Sequence, residues 1–199
     1  QYDYLKIYVP VEAKDAYKNA DDWRECRNYI YTKEDLENKG HIAWAYNNET
    51  KTLTISGKGE MDDYYSGKIP WSSYTSEIEK IEIKDGITSI GACAFLGCSR
   101  LESIILPEGI TEIKDSAFGN CSNLREILLP ESLTNIGYSA FEACSSLESV
   151  TVPAGVIELG SSAFMNCGKL KSVTILSNIT EMGSRIFAWC HNLESVTIP

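Results

Sequence analysis

The chain has 199 residues, 43% of them apolar, which is enough for a packed core and too much for a disordered segment. Its formal charge of −10, from 18 Lys and Arg against 28 Asp and Glu, lacks the basic footprint that a nucleic acid or an anionic membrane surface requires. No apolar run approaches the roughly 20 residues needed to cross a bilayer, and Gln1 to Pro10 lacks the charged-then-apolar pattern of a signal peptide, so no direct membrane insertion is expected and any export signal or anchor is expected outside this stretch.

In chain order, the first segment differs from the rest of the chain. Ile7-Tyr8-Val9-Pro10 has the form of Val150-Thr151-Val152-Pro153 far downstream, an alternating strand closed by proline. Ala13, Ala16, Tyr17 and Ala20 then share one face at helical spacing, followed by Trp23, which predicts a short helix near the N-terminus. Residues 1–31 are read as the closing cap of a preceding array, and 32–40 as a linker. Two arrangements fit. In one, the chain is an excerpt of a longer protein in which one array closes and a second begins near His41. In the other, residues 1–31 cap an open end, of the same molecule or, head to tail, of a neighbouring one, with self-association through an uncapped C-terminal end.

Residues 41–82 are expected to open the second array. Ile42, Trp44 and Tyr46 alternate, as do Leu53 and Ile55, with Asn47-Asn48-Glu49-Thr50 between them as a turn, so a β-hairpin is predicted. Met61, Tyr64, Tyr65 and Tyr74 are expected to fill the space under it. Trp71, Ile78 and Ile81 fall where a degenerate coil would put its apolar residues.

From Ile83 the chain repeats every 23 residues without insertion, in coils Ile83–Ile105, Leu106–Leu128, Leu129–Thr151, Val152–Thr174 and Ile175–Thr197, with Ile198-Pro199 opening a sixth. The columns are apolar throughout: Ile90, Ile113, Ile136, Leu159 and Met182; Phe95, Phe118, Phe141, Phe164 and Phe187; Leu101, Leu124, Leu147, Leu170 and Leu193. A fixed period of this size marks a solenoid, in which each unit buries its apolar edge only by stacking on its neighbours. The predicted fold is a right-handed coil, mainly β with short turns and 3-10 segments. Leu124-x-x-Ile127-x-Leu129 alternates as a strand of a concave sheet and Pro130 closes it; Ile110 to Ile113 gives a second strand on the opposite side. Glycine comes after that second strand in four coils (Gly91, Gly137, Gly160, Gly183), but Lys114 takes the place in the second, which argues against a strictly positive φ there.

Cys98, Cys121, Cys144, Cys167 and Cys190 form a column of their own, leaving Cys26 and Cys93 outside it. Side chains at equivalent places in parallel coils point the same way, whereas a disulfide needs converging Cβ vectors, so buried free thiols are predicted. Glu102, Arg125, Glu148, Lys171 and Glu194 alternate in sign down an exposed stripe, and each such pair contributes under about 1 kcal/mol.

The candidate binding surface is the outward side of the concave strand: Ser103, Ile105, Glu126, Leu128, Ser149, Thr151, Ser172, Thr174, Ser195 and Thr197. Most are small and hydroxylated. Ile105 and Leu128 make a modest apolar spot, either a contact site or a place covered by the opening segment or a neighbouring molecule. No catalytic or metal-binding residue is identified and no cofactor is implied. His41 and His191 are the only histidines, neither lies in a nucleophile, zinc or phosphate motif, and Cys190 beside His191 is simply the fifth member of its column.

The pattern Leu-Pro-x-x-Leu-Thr-x-Ile-Gly-x-x-Ala-Phe-x-x-Cys-x-x-Leu-x-x-Val-x-Val-Pro over Leu129 to Pro153 resembles the BspA-type leucine-rich repeat, from about Glu79 to Pro199. Trp44, Leu53 to Gly57 and Pro70-Trp71 resemble that family's opening segment; Tyr8-Val9-Pro10 with Ala16, Tyr17 and Trp23 resembles its closing one. Lys114 for Gly, Ile186 for Ala and Leu176 for Pro are the departures. The resemblance implies a secreted or surface-attached protein, most often bacterial, acting in adhesion to host proteins or other cells, with a protein ligand. The expected function is thus a non-catalytic interaction or adhesion module; the alternatives are a spacer that projects another domain from the cell surface and an accessory domain of an enzyme.

Overall fold

The computed structural model describes residues 7–8, 30–31, 42–65 and 69–199. The helix expected over Ala13 to Ala20, with Trp23, Cys26, the linker at 32–40 and His41, lies outside the described residues. The chain forms two units, Gln1–His41 and Ile42–Pro199. In the first, Ile7–Tyr8 pairs in parallel with Ile30–Tyr31, Ile7 opposite Ile30, an offset of 23 residues that equals the period of the downstream repeat.

The second unit is a β-solenoid, and its opening hairpin is built as alternation predicts. Ala43–Asn47 and Thr52–Ser56 pair antiparallel, with Trp44 opposite Ile55 and Tyr46 opposite Leu53. Asn47 fixes the turn through its Oδ1, which accepts from the backbone N–H groups of Glu49 at 2.9 Å and Thr50 at 3.1 Å. The second hairpin strand is also the first strand of the solenoid, since it runs parallel to Lys80–Ile83. Leu53 pairs with Ile81, 28 positions on, while Ile81 pairs with Ile104, 23 on, so the opening coil is five residues longer than the rest.

Each regular coil contributes two short strands to two parallel ladders. One ladder runs from Gly59–Glu60 through Ile87–Ile90, Glu112–Ile113, Asn135–Ile136 and Glu158–Leu159 to Glu181–Met182. The other, the concave one, runs from the hairpin through Lys80–Ile83 and Ser103–Ile105 to Glu126–Leu128, and resumes as Ser149–Val152, Ser172–Ile175 and Ser195–Thr197. Between the two stretches the backbone of Glu148 still donates to Arg125 O at 3.2 Å.

Stacking brings each column into contact with itself. Successive phenyl rings of Phe95, Phe118, Phe141 and Phe164 lie 5.2 to 5.4 Å apart and near parallel, and Phe187 continues the stack at 6.0 Å. The column does not begin with phenylalanine. Trp71, fully buried, stacks on Phe95 at 5.8 Å and donates from its indole Nε1 to Ala94 O at 3.0 Å, so the degenerate coil supplies an aromatic with its polar group satisfied. Met61 and Tyr64 fill beneath the hairpin as expected, and Tyr46 stacks on half-buried Tyr74 at 4.2 Å. Tyr65 does not join them. It is 66% exposed and turns outward to donate its hydroxyl to Asp115 Oδ2 at 3.2 Å.

The glycine column is required for closeness rather than for backbone handedness. None of Gly91, Gly137, Gly160 and Gly183 has positive φ, yet a Cβ on Gly160 would stand 2.4 Å from the Gly137 carbonyl carbon and one on Gly183 2.2 Å from the Ser161 nitrogen. Lys114 in the second coil instead sends its ammonium to Glu60 at 3.4 Å and Asp63 at 3.5 Å, tying the opening segment to the solenoid flank. The left-handed positions lie elsewhere, in two columns: Cys93, Ser116, Ser139, Ser162 and Arg185, and Gly97, Asn120, Ala143, Asn166 and Trp189. A non-glycine residue there costs about 1–2 kcal/mol. That cost is offset by an inter-coil bond: Ser139 N–H reaches Ser161 O at 2.9 Å and Ala143 N–H reaches Met165 O at 2.8 Å.

Two substitutions test this packing by urea denaturation. Phe141→Ala removes a ring that is stacked on both sides and is expected to cost about 3–5 kcal/mol. Gly160→Ala forces two coils apart and is expected to cost about 1–3 kcal/mol although it adds only one methyl group.

Candidate interaction surface

The concave ladder alternates by pleat, so one set of its residues enters the core and the other faces out. Inward, Ile81, Ile104, Ile127, Val150 and Val173 are all buried. Outward lie two columns fixed by the register. One is Lys80, Ser103, Glu126 in the first stretch and Ser149, Ser172, Ser195 in the second; the other is Glu82, Ile105, Leu128, then Thr151, Thr174, Thr197. All ten residues singled out from the sequence sit on this one side, and Ser172 and Thr174 alone are half-buried. Ile105 and Leu128 are neighbours on paired strands, 73% and 70% exposed, so the opening segment does not cover them.

The charges on this face are arranged by position. Glu82 receives Lys80 at 2.6 Å and Lys84 at 2.9 Å, and these two hydrogen bonds hold its carboxyl down at about 2. Glu126 has no ion pair among the described residues. Of the alternating stripe from Glu102 to Glu194, Lys171 and Glu148 alone approach, at 3.8 Å with both side chains exposed, so the stripe is a solvated face with little stabilising effect. The Lys80, Glu82 and Lys84 triplet was not singled out from the sequence, although period-2 alternation in Lys80-Ile81-Glu82-Ile83-Lys84 carries the signal.

The cysteine column is held by one recurring contact. Each thiol from the second coil on donates to the phenylalanine carbonyl of the preceding coil: Cys121 to Phe95 O at 3.3 Å, Cys144 to Phe118 O at 3.2 Å, Cys167 to Phe141 O at 3.3 Å and Cys190 to Phe164 O at 3.1 Å. Burial pushes Cys98 and Cys144 up to about 12 and raises Cys121 well above its ordinary value, so these three thiols stay protonated at neutral pH, whereas the hydrogen bond with Cys167 lowers the Cys190 thiol. His191 is exposed on the turn after the column. Among the described residues no group of three or more His, Cys, Asp or Glu is placed to hold a metal ion, and no helix is long and apolar enough to cross a membrane. A hollow of about 180 Å³ between Tyr65, Lys114, Asp115 and the Glu112-Asn135-Glu158 column is shallow and polar, and Asn135 Nδ2 donates to Glu158 Oε2 across it at 2.7 Å.

A model of the BspA type leucine rich repeat region matches residues 72–194 in 6 copies. The match covers more than half of the chain, and the chain belongs to this family. It starts at Ser72, ahead of the first full coil, so part of the opening coil also fits the family's repeat. Among solved structures the chain is similar to a T. pallidum leucine rich repeat protein, at 25% identity and TM-score 0.58, over 76% of this chain and 87% of that one. It is also similar to a leucine-rich repeat protein from Eubacterium ventriosum, at 23% identity and TM-score 0.55, over 71% of this chain and 43% of that one. A leucine rich cell surface protein from Faecalibacterium prausnitzii is similar at 20% identity and TM-score 0.52, over 79% of this chain and 54% of that one. The chain thus spans about half the length of the last two, and those two likenesses establish the fold alone. None of the curated proteins matches the chain in sequence.

Two solution measurements test these assignments. With a thiol reagent at neutral pH, Cys93, half-exposed and outside the column, is expected to react slowly in the native protein, since burial and Asp115 raise its thiol, while Cys98, Cys121 and Cys144 react only in denaturant; peptide mapping locates the label. The Glu82 carboxyl should titrate by NMR near 2 rather than at its ordinary 4.5. A carboxyl depressed in the folded state stabilises it above the unfolded pKa and loses that effect as pH falls through the folded one, so this contribution disappears between about pH 4.5 and 2, and Lys84→Ala should move the midpoint upward.

Proposed function

We propose that the chain is a non-catalytic protein-interaction module of a secreted or surface-attached bacterial protein, with the outward concave columns as its binding face and adhesion as its use. The observation that carries this reading is the contrast within one ladder. The inward columns are buried, whereas the outward ones form a continuous accessible strip free of any packing duty. The raised Cys98, Cys121 and Cys144 thiols and the shallow form of the polar hollow favour a binding role, and family membership together with the cell-surface description of the Faecalibacterium protein supports the location. A spacer role is favoured by a different feature, the small hydroxylated residues that dominate the strip in the third to fifth coils.

The two readings separate in an adhesion assay with beads that display the chain, applied to host epithelial cells and to neighbouring bacterial cells. Thr151→Arg with Ser195→Arg crowds the concave strip, and Ile157→Arg with Thr180→Arg crowds an exposed stretch of the other ladder. Loss of most adhesion with the first pair and retention with the second is expected; full retention with both pairs establishes the spacer.

A further inference from the structure

The first two regular coils differ from the other three on the concave face, in apolarity and in charge together. The outer column reads Ile105 and Leu128 in their strands but Thr151, Thr174 and Thr197 afterwards. Stacking does not demand the change, because both side chains point away from the core and threonine serves the same place three times. Parallel register sets the two side by side at about one strand spacing, roughly 4.8 Å.

Carboxylates cluster beside this pair, Glu108 and Glu126 in the second coil and Glu131 at the start of the third, where later coils carry small residues. Glu126 starts the second strand, and its column continues as Ser149, Ser172 and Ser195. Glu108 and Glu131 come directly after Pro107 and Pro130, at the far ends of the two strands, where the next coils have Ala154 and Ser177. None of Glu108, Glu126 and Glu131 has an ion pair among the described residues, in contrast to Glu82, which Lys80 and Lys84 neutralise. Glu108 and Glu131 are stacked on successive coils, close enough for Glu131 N–H to donate to Glu108 Oε1 at 3.4 Å. Like charges at that spacing repel, and the repulsion is relieved by an incoming cation. The apolar pair therefore has unneutralised Glu126 before Leu128 and Glu108 and Glu131 beyond the two strands, while Ser103 stands before Ile105.

From this complementarity we infer that Ile105, Leu128, Glu108, Glu126 and Glu131 form a docking patch for a partner protein segment that presents an apolar side chain between lysines or arginines. The inference rests on the reading of the concave strip as an interaction face and deepens it. A second copy of this chain, at a formal charge of −10, is a poor occupant of an acidic patch.

The test uses the whole chain and a fluorescent heptapeptide of alternating lysine and leucine, with lysine–serine and glutamate–leucine heptapeptides beside it, read by anisotropy at low and high salt. The lysine–leucine probe is expected to bind at least about tenfold more tightly than either control, with affinity falling as salt rises. Ile105→Thr with Leu128→Thr, and separately Glu126→Gln with Glu131→Gln, should each weaken it about tenfold, the second pair also flattening the salt dependence. Circular dichroism and the thermal midpoint confirm that the variants fold, as threonine in the three later coils already does. No binding of the probe, equal binding of lysine–serine, or indifference to the Thr pair overturns the patch. If adhesion is nonetheless lost with Thr151→Arg and Ser195→Arg, the concave face stands and this patch alone fails; if adhesion is indifferent too, both fail.

Discussion

Each coil of this protein can bury its apolar edge only against the coils before and after it, and the phenyl column is where that dependence is strongest. A ring between two others has no alternative partner, since the interior is one coil thick and lined by the same residue type on both sides. From Trp71 to Phe187 the rings form an uninterrupted stack, and the turns around it are arranged so that the stack can close. The backbone accepts left-handed residues in two columns because doing so lets their N–H groups reach the next coil. The glycine column lets neighbouring backbones meet. The thiols fill the remaining gap and find a carbonyl of the coil before.

The same constraint limits what the interior positions can hold. Positions that face inward are held to one small or aromatic shape by the coil on either side, so a catalytic pair or a ligand set would have to displace packing that recurs in every repeat. Burial also keeps the Cys98, Cys121 and Cys144 thiols protonated. What remains free to vary is the outer side of the strands, where a substitution touches no neighbour in the core. On the concave ladder that freedom has produced two zones: an apolar and acidic one on the first two regular coils and a hydroxylated one on the other three.

The opening coil shows how an array can depart from its repeat without losing the stack. It is five residues longer, and it puts tryptophan where the others have phenylalanine. The antiparallel strand Ala43–Asn47 pairs with the first solenoid strand and forms the edge of the concave sheet at that end. Lys114, the one departure in the glycine column, points to the same place: its ammonium sits between two carboxylates of the segment just after the hairpin.

The sequence by itself determined the period, the apolar columns, the hairpin and the outward residues of the concave strand, because each depends only on spacing along a chain that repeats without insertion. Lys114 in the glycine column also argued against a strictly positive φ there. Tertiary structure decided what spacing cannot express. Tyr65 turns out to Asp115 instead of filling the space below the hairpin, and the left-handed turns fall on Ser139 and Ala143, whose residue types do not announce them. Glu82 is neutralised while Glu126 is not. Each of these depends on which group of another coil stands within a few ångströms, and that distance is set by stacking and by the length of the opening coil rather than by any local pattern.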